Sequence, residues 1–544
     1  MSIVKKFSVV TMVFLLLLTF SSNLRAATFT INTTDDTNDV ALGGGICADS
    51  NGNCSLRAAI QQANYDAGTD IIEVDAALPT PVVLTLTAGF SLIITDSLTF
   101  TGPGADQLTI DANSNSGVFY FNTLSGNGTL ELSGMTITNG LSILGAGIYI
   151  DVGETLNLSD CLISNNVAQA SDGGGLIAMA NATVNITGST FSGNVANDNG
   201  GAIALFDTAL FVANNMTIGG NSAVMLGGGL FAESVNAVNI TNSTFSGNHA
   251  DADGGAINLS GTVGTSFDAT NVTISGNTAN GYGAGLRAGA SSAIATLNNV
   301  TITNNTTTSA GDAAGIYMDA NANIYLKNSI VSDNYANGEL LNCYYTPPTV
   351  NLITAGNNIS DDSTCNLGVG GDLPDTDPLL AALADNGGPT QTHRLITGSF
   401  AIDAITGNCT DQVAPTPNDI LKDQRGFVRP YIRVTLMMLP VMLSMMTVMV
   451  LPTMTMSRGE LAAVLVHVML VDGELALMEP RLMTARRGRR LQMMPHVMIS
   501  MMTVVMGRMK TMLRRLPLVV FQIPHVTPKG SWNVNSAECY LIRV

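Results

Sequence analysis

An apolar residue, two small polar residues and Asn, followed about eight residues later by a glycine pair, recur along this chain with a period of about 28 residues. The phrase reads Phe191-Ser-Gly-Asn194 with Gly200-Gly201-Ala-Ile203, and again Phe245-Ser-Gly-Asn248 with Gly254-Gly255-Ala-Ile257. Between them lies Ile218-Gly-Gly-Asn221 with Gly227-Gly228-Gly-Leu230, and flanking copies place Asn at 166, 277, 305 and 334. A fixed period of this length is one structural unit stacked on itself.

Each unit holds three short runs of alternating apolar and polar residues, such as Val184-Asn-Ile186, Thr190-Phe191-Ser192 and Ala202-Ile203-Ala204-Leu205, divided by Gly, Asn, Asp and Ser. Alternation with period two over so few residues makes strands. Three strands and three turns per repeat predict an all-β fold, a right-handed parallel β-helix of three faces, in which each strand pairs with its counterpart one coil away, ~4.8 Å along the axis. The expected solenoid covers 71–340, and the eight coils legible from Met135 to Asn334 would span roughly 40 Å. Asn166, Asn194, Asn221, Asn248, Asn277, Asn305 and Asn334 are expected in one structural column. There Asn would tolerate a left-handed turn and pass hydrogen bonds from coil to coil. The glycine pairs mark turns where a Cβ would collide.

From Ala27 to Pro430 the chain is rich in Gly, Asn, Thr, Ser and Ala, and Arg287 and Lys327 are its only Lys or Arg between Arg57 and Arg394. With a net charge of −18 overall, nucleic acid and anionic membrane surfaces are poor partners for it. Residues 1–26 read as a secretory signal peptide: Lys5 and Lys6, an apolar run from Val9 to Phe20, and Leu24-Arg-Ala26 ending in a small residue. A start-transfer anchor is the alternative, disfavoured by the short run. Export permits disulfides. Cys47 and Cys54 bracket a six-residue loop and are expected to pair, as are Cys343 and Cys365. Cys161 reads as a buried small hydrophobe, and Cys409 and Cys539 have no assignable partner.

Within the N-terminal segment 27–70, Ser55 to Tyr65 changes to helical spacing, with Ser55 as N-cap and Gly68 as stop. Such a helix would cover the bare end of the solenoid. Cys54-Ser-Leu-Arg-Ala-Ala-Ile60 with Gln-Gln-Ala-Asn64 resembles the signature of CSLREA-domain proteins, with Ala58 where that family usually has Glu. Asp377-Pro-Leu-Leu380, Leu383 to His393, Ala401-Ile-Asp-Ala404 and Asp423-Gln-Arg-Gly426 with Arg429-Pro430 resemble the choice-of-anchor Q module, here 341–430. The repeats are similar to those of the polymorphic outer membrane proteins. Together the resemblances cover about 28–430. They imply a bacterial secreted or surface-displayed β-helix with an exchangeable C-terminal anchor, and no established enzymatic activity.

After Pro430 the composition changes. The last 114 residues hold 19 of the 26 Met and 13 of the 23 Lys and Arg, and lack the repeats. Met is always ATG, so Met445-Met-Thr-Val-Met-Val450 moved back one base reads as an Asp- and Gly-rich string like a thrombospondin type 3 calcium loop. Residues 431–544 are therefore read as an out-of-frame linker and anchor without a stable fold. The competing reading is a membrane span at Val434 to Ser457, uncharged but interrupted by Pro440 and Pro452.

Two functions compete. A polysaccharide lyase or hydrolase of the pectate-lyase-like class needs carboxylates clustered on one strand face across consecutive coils. The acids Asp172, Asp198, Asp251, Asp253, Asp312 and Asp333 sit instead at turns, Asp268 and Asp319 are isolated at strand edges, His249 lies in a turn, and His393 reads as a structural hydrogen-bonding residue. The sequence shows no catalytic constellation. The favoured reading is a non-enzymatic, adhesin-like surface or secreted protein, anchored in the outer membrane or cell envelope, whose stacked Thr and Asn faces contact a glycan or cell-surface ligand. No cofactor is expected. Asp172, Asp198, Asp251 and Asp253 would stack ~5 Å apart as candidates for weak Ca²⁺ binding, against solvated turn carboxylates as the simpler reading.

Overall fold

The computed structural model describes residues 26–429, apart from 209, 262–264, 290–292, 320, 346–351, 403, 406–409 and 411–419, together with the backbone of four strands beyond 429. The chain divides into two units, Met1–Ile405 with Gln412–Ala414, and Thr406–Asp411 with Pro415–Val544.

In the first unit the coils from Thr129 onward visit four sheets in the order A, B, D, C, while the two before them pass from B to C without a D strand. One coil runs Thr155–Ser159, Leu162–Ser164, Val167–Ala168 and Leu176–Ala178, and the next begins with Thr183–Thr187. Every strand of this coil pairs in parallel with the next copy, Leu156 beside Val184, Ile163 beside Phe191, Ala168 beside Ala196 and Leu176 beside Ile203. Sheets A, B, C and D hold 12, 11, 10 and 9 strands. This is a parallel β-helix. Sheets A, B and C are the three strands expected from the repeat, and the two-residue strands of sheet D, just after each Asn, are an addition the alternation was too short to reveal. Period-two alternation sends Leu156, Leu158, Ile163, Phe191 and Phe211 inward, all buried.

The solenoid is longer than 71–340 at both ends. Thr28–Ile31 is the first strand of sheet A, beside Asp70–Val74, while Cys343–Tyr345, Leu352–Thr354 and Ile359–Ser360 add a further coil. These end coils keep buried apolar residues such as Phe29, Ile31 and Ile359 but lack the Asn and Gly punctuation on which the period was read. The helix Leu56–Ala63 packs against Thr28–Ile31, Asp70–Val74 and Leu92–Ile94. Ser55 Oγ accepts the Ala58 N–H at 3.1 Å as N-cap. Arg57, almost fully buried, gives Nε to Asp36 Oδ1 at 2.6 Å and also donates to the carbonyls of Phe90 and Ser91, so the cap's one cation is buried with its charge and donors matched.

The seven Asn residues are buried and joined in one column. The Nδ2 of Asn166, Asn194, Asn221, Asn248, Asn277 and Asn305 each donates to the Oδ1 of the next, at 2.9 Å every time. That Oδ1 also accepts the backbone N–H of the Asn one coil before, as Asn221 Oδ1 does from Asn194 at 2.9 Å. Each Nδ2 donates again to a strand carbonyl of the preceding coil, from Asn194 to Ile163 at 2.9 Å. Asn334 hands the column to Asn342, which ends on Ser360 and Asp361.

Of the two reasons expected for Asn at this place, the amide ladder holds and the left-handed turn needs correcting. The left-handed backbone belongs to the residue before it: Asn165, Gly193, Gly220, Gly247, Gly276, Asn304 and Asp333 all have φ between 54° and 67°, whereas no column Asn has positive φ. Asn is there for its amide, and Gly in the Ser-Gly-Asn phrase for the turn. In the glycine pairs, Gly200 has φ 67°, and a Cβ on Gly201 would strike the carbonyls of Gly228 and Ser222 in the next coil.

Beyond the last coil the chain doubles back. The antiparallel hairpin Leu380–Ala384 and Thr392–Leu395 lies on the outward face of sheet B. Thr244 Oγ1 donates to the Gln391 carbonyl at 2.6 Å, and Thr390 Oγ1 to that of Asn242 at 3.0 Å. Outward Thr273, Ser275, Thr303 and Ser332 are buried on this side. The segment 377–393 is thus part of the solenoid's own unit.

Disulfides join Cys47 to Cys54 and Cys343 to Cys365, with Cα separations of 5.1 Å and 4.9 Å. Cys161 is a free, buried thiol whose Sγ donates to the Ser159 carbonyl, and burial pushes its pKa up to about 11. Cys409 lies outside the described residues, as does the side chain of Cys539.

In the second unit, Asp423 Oδ1 accepts the N–H groups of Arg425 and Phe427. The strands Ala463–Val471, Glu474–Met483, Val519–Ile523 and Glu538–Ile542 pair antiparallel, parallel and antiparallel in turn. The expectation of an unfolded tail falls largely outside the described residues, and Val434 to Ser457 entirely so. Among the described residues no helix is long and apolar enough to cross a membrane.

Candidate functional site: the outward face of sheet A

Among the described residues sheet A presents the widest uncovered face. Sheet B is roofed by the hairpin from Thr244 onward, sheet D is two residues wide, and the outward positions Ile177, Ala204, Phe231 and Asn258 of sheet C are buried. The A strands are five residues long in most coils, so that two apolar residues point inward and three polar ones outward. Examples are Thr129, Glu131 and Ser133, then Thr155, Asn157 and Ser159, then Thr183, Asn185 and Thr187.

Parallel register turns the middle positions into one column of Thr99, Glu131, Asn157, Asn185, Val212, Asn239, Asp268, Thr296 and Tyr325. Thr99 Oγ1 donates to Glu131 Oε2 at 3.2 Å, and Asn185 Nδ2 to Asn157 Oδ1 at 2.9 Å. Around these residues lies a shallow depression of about 340 Å³, lined by Thr99, Glu131, Ser133, Asn157, Asn185 and Thr187 among others. The two acids of the column, Glu131 and Asp268, stand five coils apart, roughly 24 Å at ~4.8 Å per coil. Glycosidase carboxylates flank one bond at about 5 to 9.5 Å. This pair cannot share one.

The turn acids do not form the expected column. Asp172 stands six places after Asn166, Asp198 four after Asn194, and Asp251 and Asp253 three and five after Asn248, with no acid in the turn after Asn221, so the four are out of step. Asp172 Oδ1 accepts both the backbone N–H and Nδ2 of Asn199 at 2.9 Å. Asp253 Oδ1 accepts the Tyr282 N–H at 2.7 Å, and its Oδ2 lies 3.5 Å from Arg287 Nε. Asp251 Oδ1 is bonded by His249 Nε2 and Asn280 Nδ2. Burial raises the pKa of Asp198, with the charge of Asp172 adding to it. Among the described residues no three His, Cys, Asp or Glu are grouped to hold a metal.

The remaining singled-out residues are dispersed. His249 begins the sheet D strand His249–Ala250, not a turn, and its Nδ1 meets Thr278 Oγ1 at 2.8 Å. Asp319 takes Arg287 Nη2 at 2.8 Å, so Arg287 stands between two acids. Asp312 accepts from Ser309 Oγ, and Asp333 is one of the left-handed turn residues. His393 bonds the Ala381 carbonyl through Nδ1 at 2.6 Å and Ser275 Oγ through Nε2 at 2.8 Å, and burial lowers its pKa. Sequence reasoning missed Asp36, Asp70, Glu131 and Asn342. Only Glu131 had a visible signal, an acid at the centre of a strand of small polar residues.

Two stretches of the chain, residues 188–205 and 242–260, match the family model of the Chlamydia polymorphic membrane protein repeat. Both are the corner where sheet A turns into sheet B and runs through the Asn and glycine pair to sheet C. No curated protein and no solved structure matches the chain.

Proposed function

We propose that this chain is an exported, non-enzymatic cell-surface or secreted protein, adhesin-like, whose right-handed β-helix contacts glycans through the outward face of sheet A. One observation carries the reading: the register that places Thr, Asn and Ser at ~4.8 Å steps along a flat face with a shallow depression. Hydroxyls and amides supply both donors and acceptors, which suits the hydroxyls of a sugar chain lying along the axis. The polymorphic membrane protein repeat supports display at an outer membrane. Residues 1–26 act as the leader, and the region after Pro430 stands where an envelope anchor would attach.

A glycan array probed with the purified full chain, paired with an assay for reducing ends and unsaturated sugars, tests this. Saturable binding without product is expected. Release of products would replace the proposal with polysaccharide cleavage, and absence of binding to any glycan would remove the ligand class.

A further inference from the structure

Asp70 opens the second strand of sheet A and is wholly buried. Its Oδ1 accepts the backbone N–H of Ala27 at 2.7 Å, while its Oδ2 has no hydrogen-bond partner among the described residues. Asp66 and Asp96 add negative charge around it, and burial raises its pKa before they do. No Lys, Arg or His among the described residues pairs with Asp70. A buried carboxylate with one neutral donor and two acidic neighbours lacks a cation. Ala27 itself is fixed, since its carbonyl accepts the Ile71 N–H at 2.8 Å, while Ala26 is exposed.

We propose that cleavage between Ala26 and Ala27 supplies the missing charge: the freed α-ammonium of Ala27 pairs with Asp70 and locks the first strand of sheet A onto the solenoid. The proposal rests on the export reading above. The step is hydrolysis by a leader peptidase. Water gives its hydroxyl to the Ala26 carbonyl, which departs as a carboxylate. The Ala27 nitrogen keeps its electron pair and gains protons to become an ammonium. One amide donor becomes three, enough to serve both Oδ1 and Oδ2. The uncleaved chain leaves Oδ2 unpaired, so the N-terminal strand of the mature protein is held more firmly than that of its precursor.

The full chain beginning at Ala27, released from a fusion by a protease that leaves no extra residue, tests the pairing without any need for export. The α-amine is acylated with a succinimidyl ester at neutral pH and the modified peptide followed by mass spectrometry. Acylation in the folded chain is expected to be at least about tenfold slower than in denaturant. One Gly inserted before Ala27, or Asp70→Asn, should remove that protection. Equal rates folded and unfolded, or protection that survives both changes, would overturn the pairing. A start other than Ala27 in the exported protein would overturn the cleavage site.

Discussion

Asn221 shows at the scale of one residue why the same side chain returns in every coil. Its Nδ2 donates to the Phe191 carbonyl at 3.1 Å and to Asn248 Oδ1 at 2.9 Å, and its Oδ1 accepts from the backbone N–H and Nδ2 of Asn194. All four bonds are buried. Truncation strands two donors on Asn194, and each buried unsatisfied group costs ~1–3 kcal/mol. Asn221→Ala is therefore expected to lower unfolding free energy by at least about 2 kcal/mol in denaturant titration. A loss under about 1 kcal/mol would mean that water or a shifted coil replaces the amide. The recurrence made this position and its amide ladder legible in the sequence, but not which residue takes the left-handed turn, because spacing cannot tell that residue from the buried amide beside it. Asn342 was illegible: it follows Asn334 after eight positions, where the chain abandons the coil length.

Among the elements, the helix Leu56–Ala63 was readable because its cap and its change of period are local. The hairpin on sheet B was not. Its contacts join residues 147 and 148 positions apart, and nothing in Leu383 to His393 says which face receives it. His393 makes the docking sensitive to pH. Burial lowers its folded pKa below the unfolded value of about 6.5. The docked form thus favours neutral imidazole, whose contribution is complete above about pH 6.5 and is lost as pH falls toward the lowered folded pKa. Amide exchange in 380–395 is expected to quicken, beyond its intrinsic pH dependence, between about pH 7 and pH 5, and His393→Gln should flatten that response. An unchanged response in the variant would place the sensitivity elsewhere.

For the whole molecule, alternation within the repeat decides what faces in, and register decides what the outside looks like. Strands pair residue for residue, so the polar columns of sheet A could be anticipated from Val184-Asn-Ile186 and its neighbours. The misalignment of Asp172, Asp198, Asp251 and Asp253 was legible as well, since they stand six, four, three and five places after their column Asn. The flat face is the consequence on which the proposed function depends. Titration of a glycan selected on the array against the full chain, against Asn157→Ala with Asn185→Ala, and against Val224→Ala at an exposed position beyond sheet D tests that claim most directly. The double variant should bind at least about tenfold more weakly, about 1.4 kcal/mol, with its melting temperature unchanged, and Val224→Ala should bind as the parent does. Undiminished binding by the double variant would show that sheet A is not the contact face.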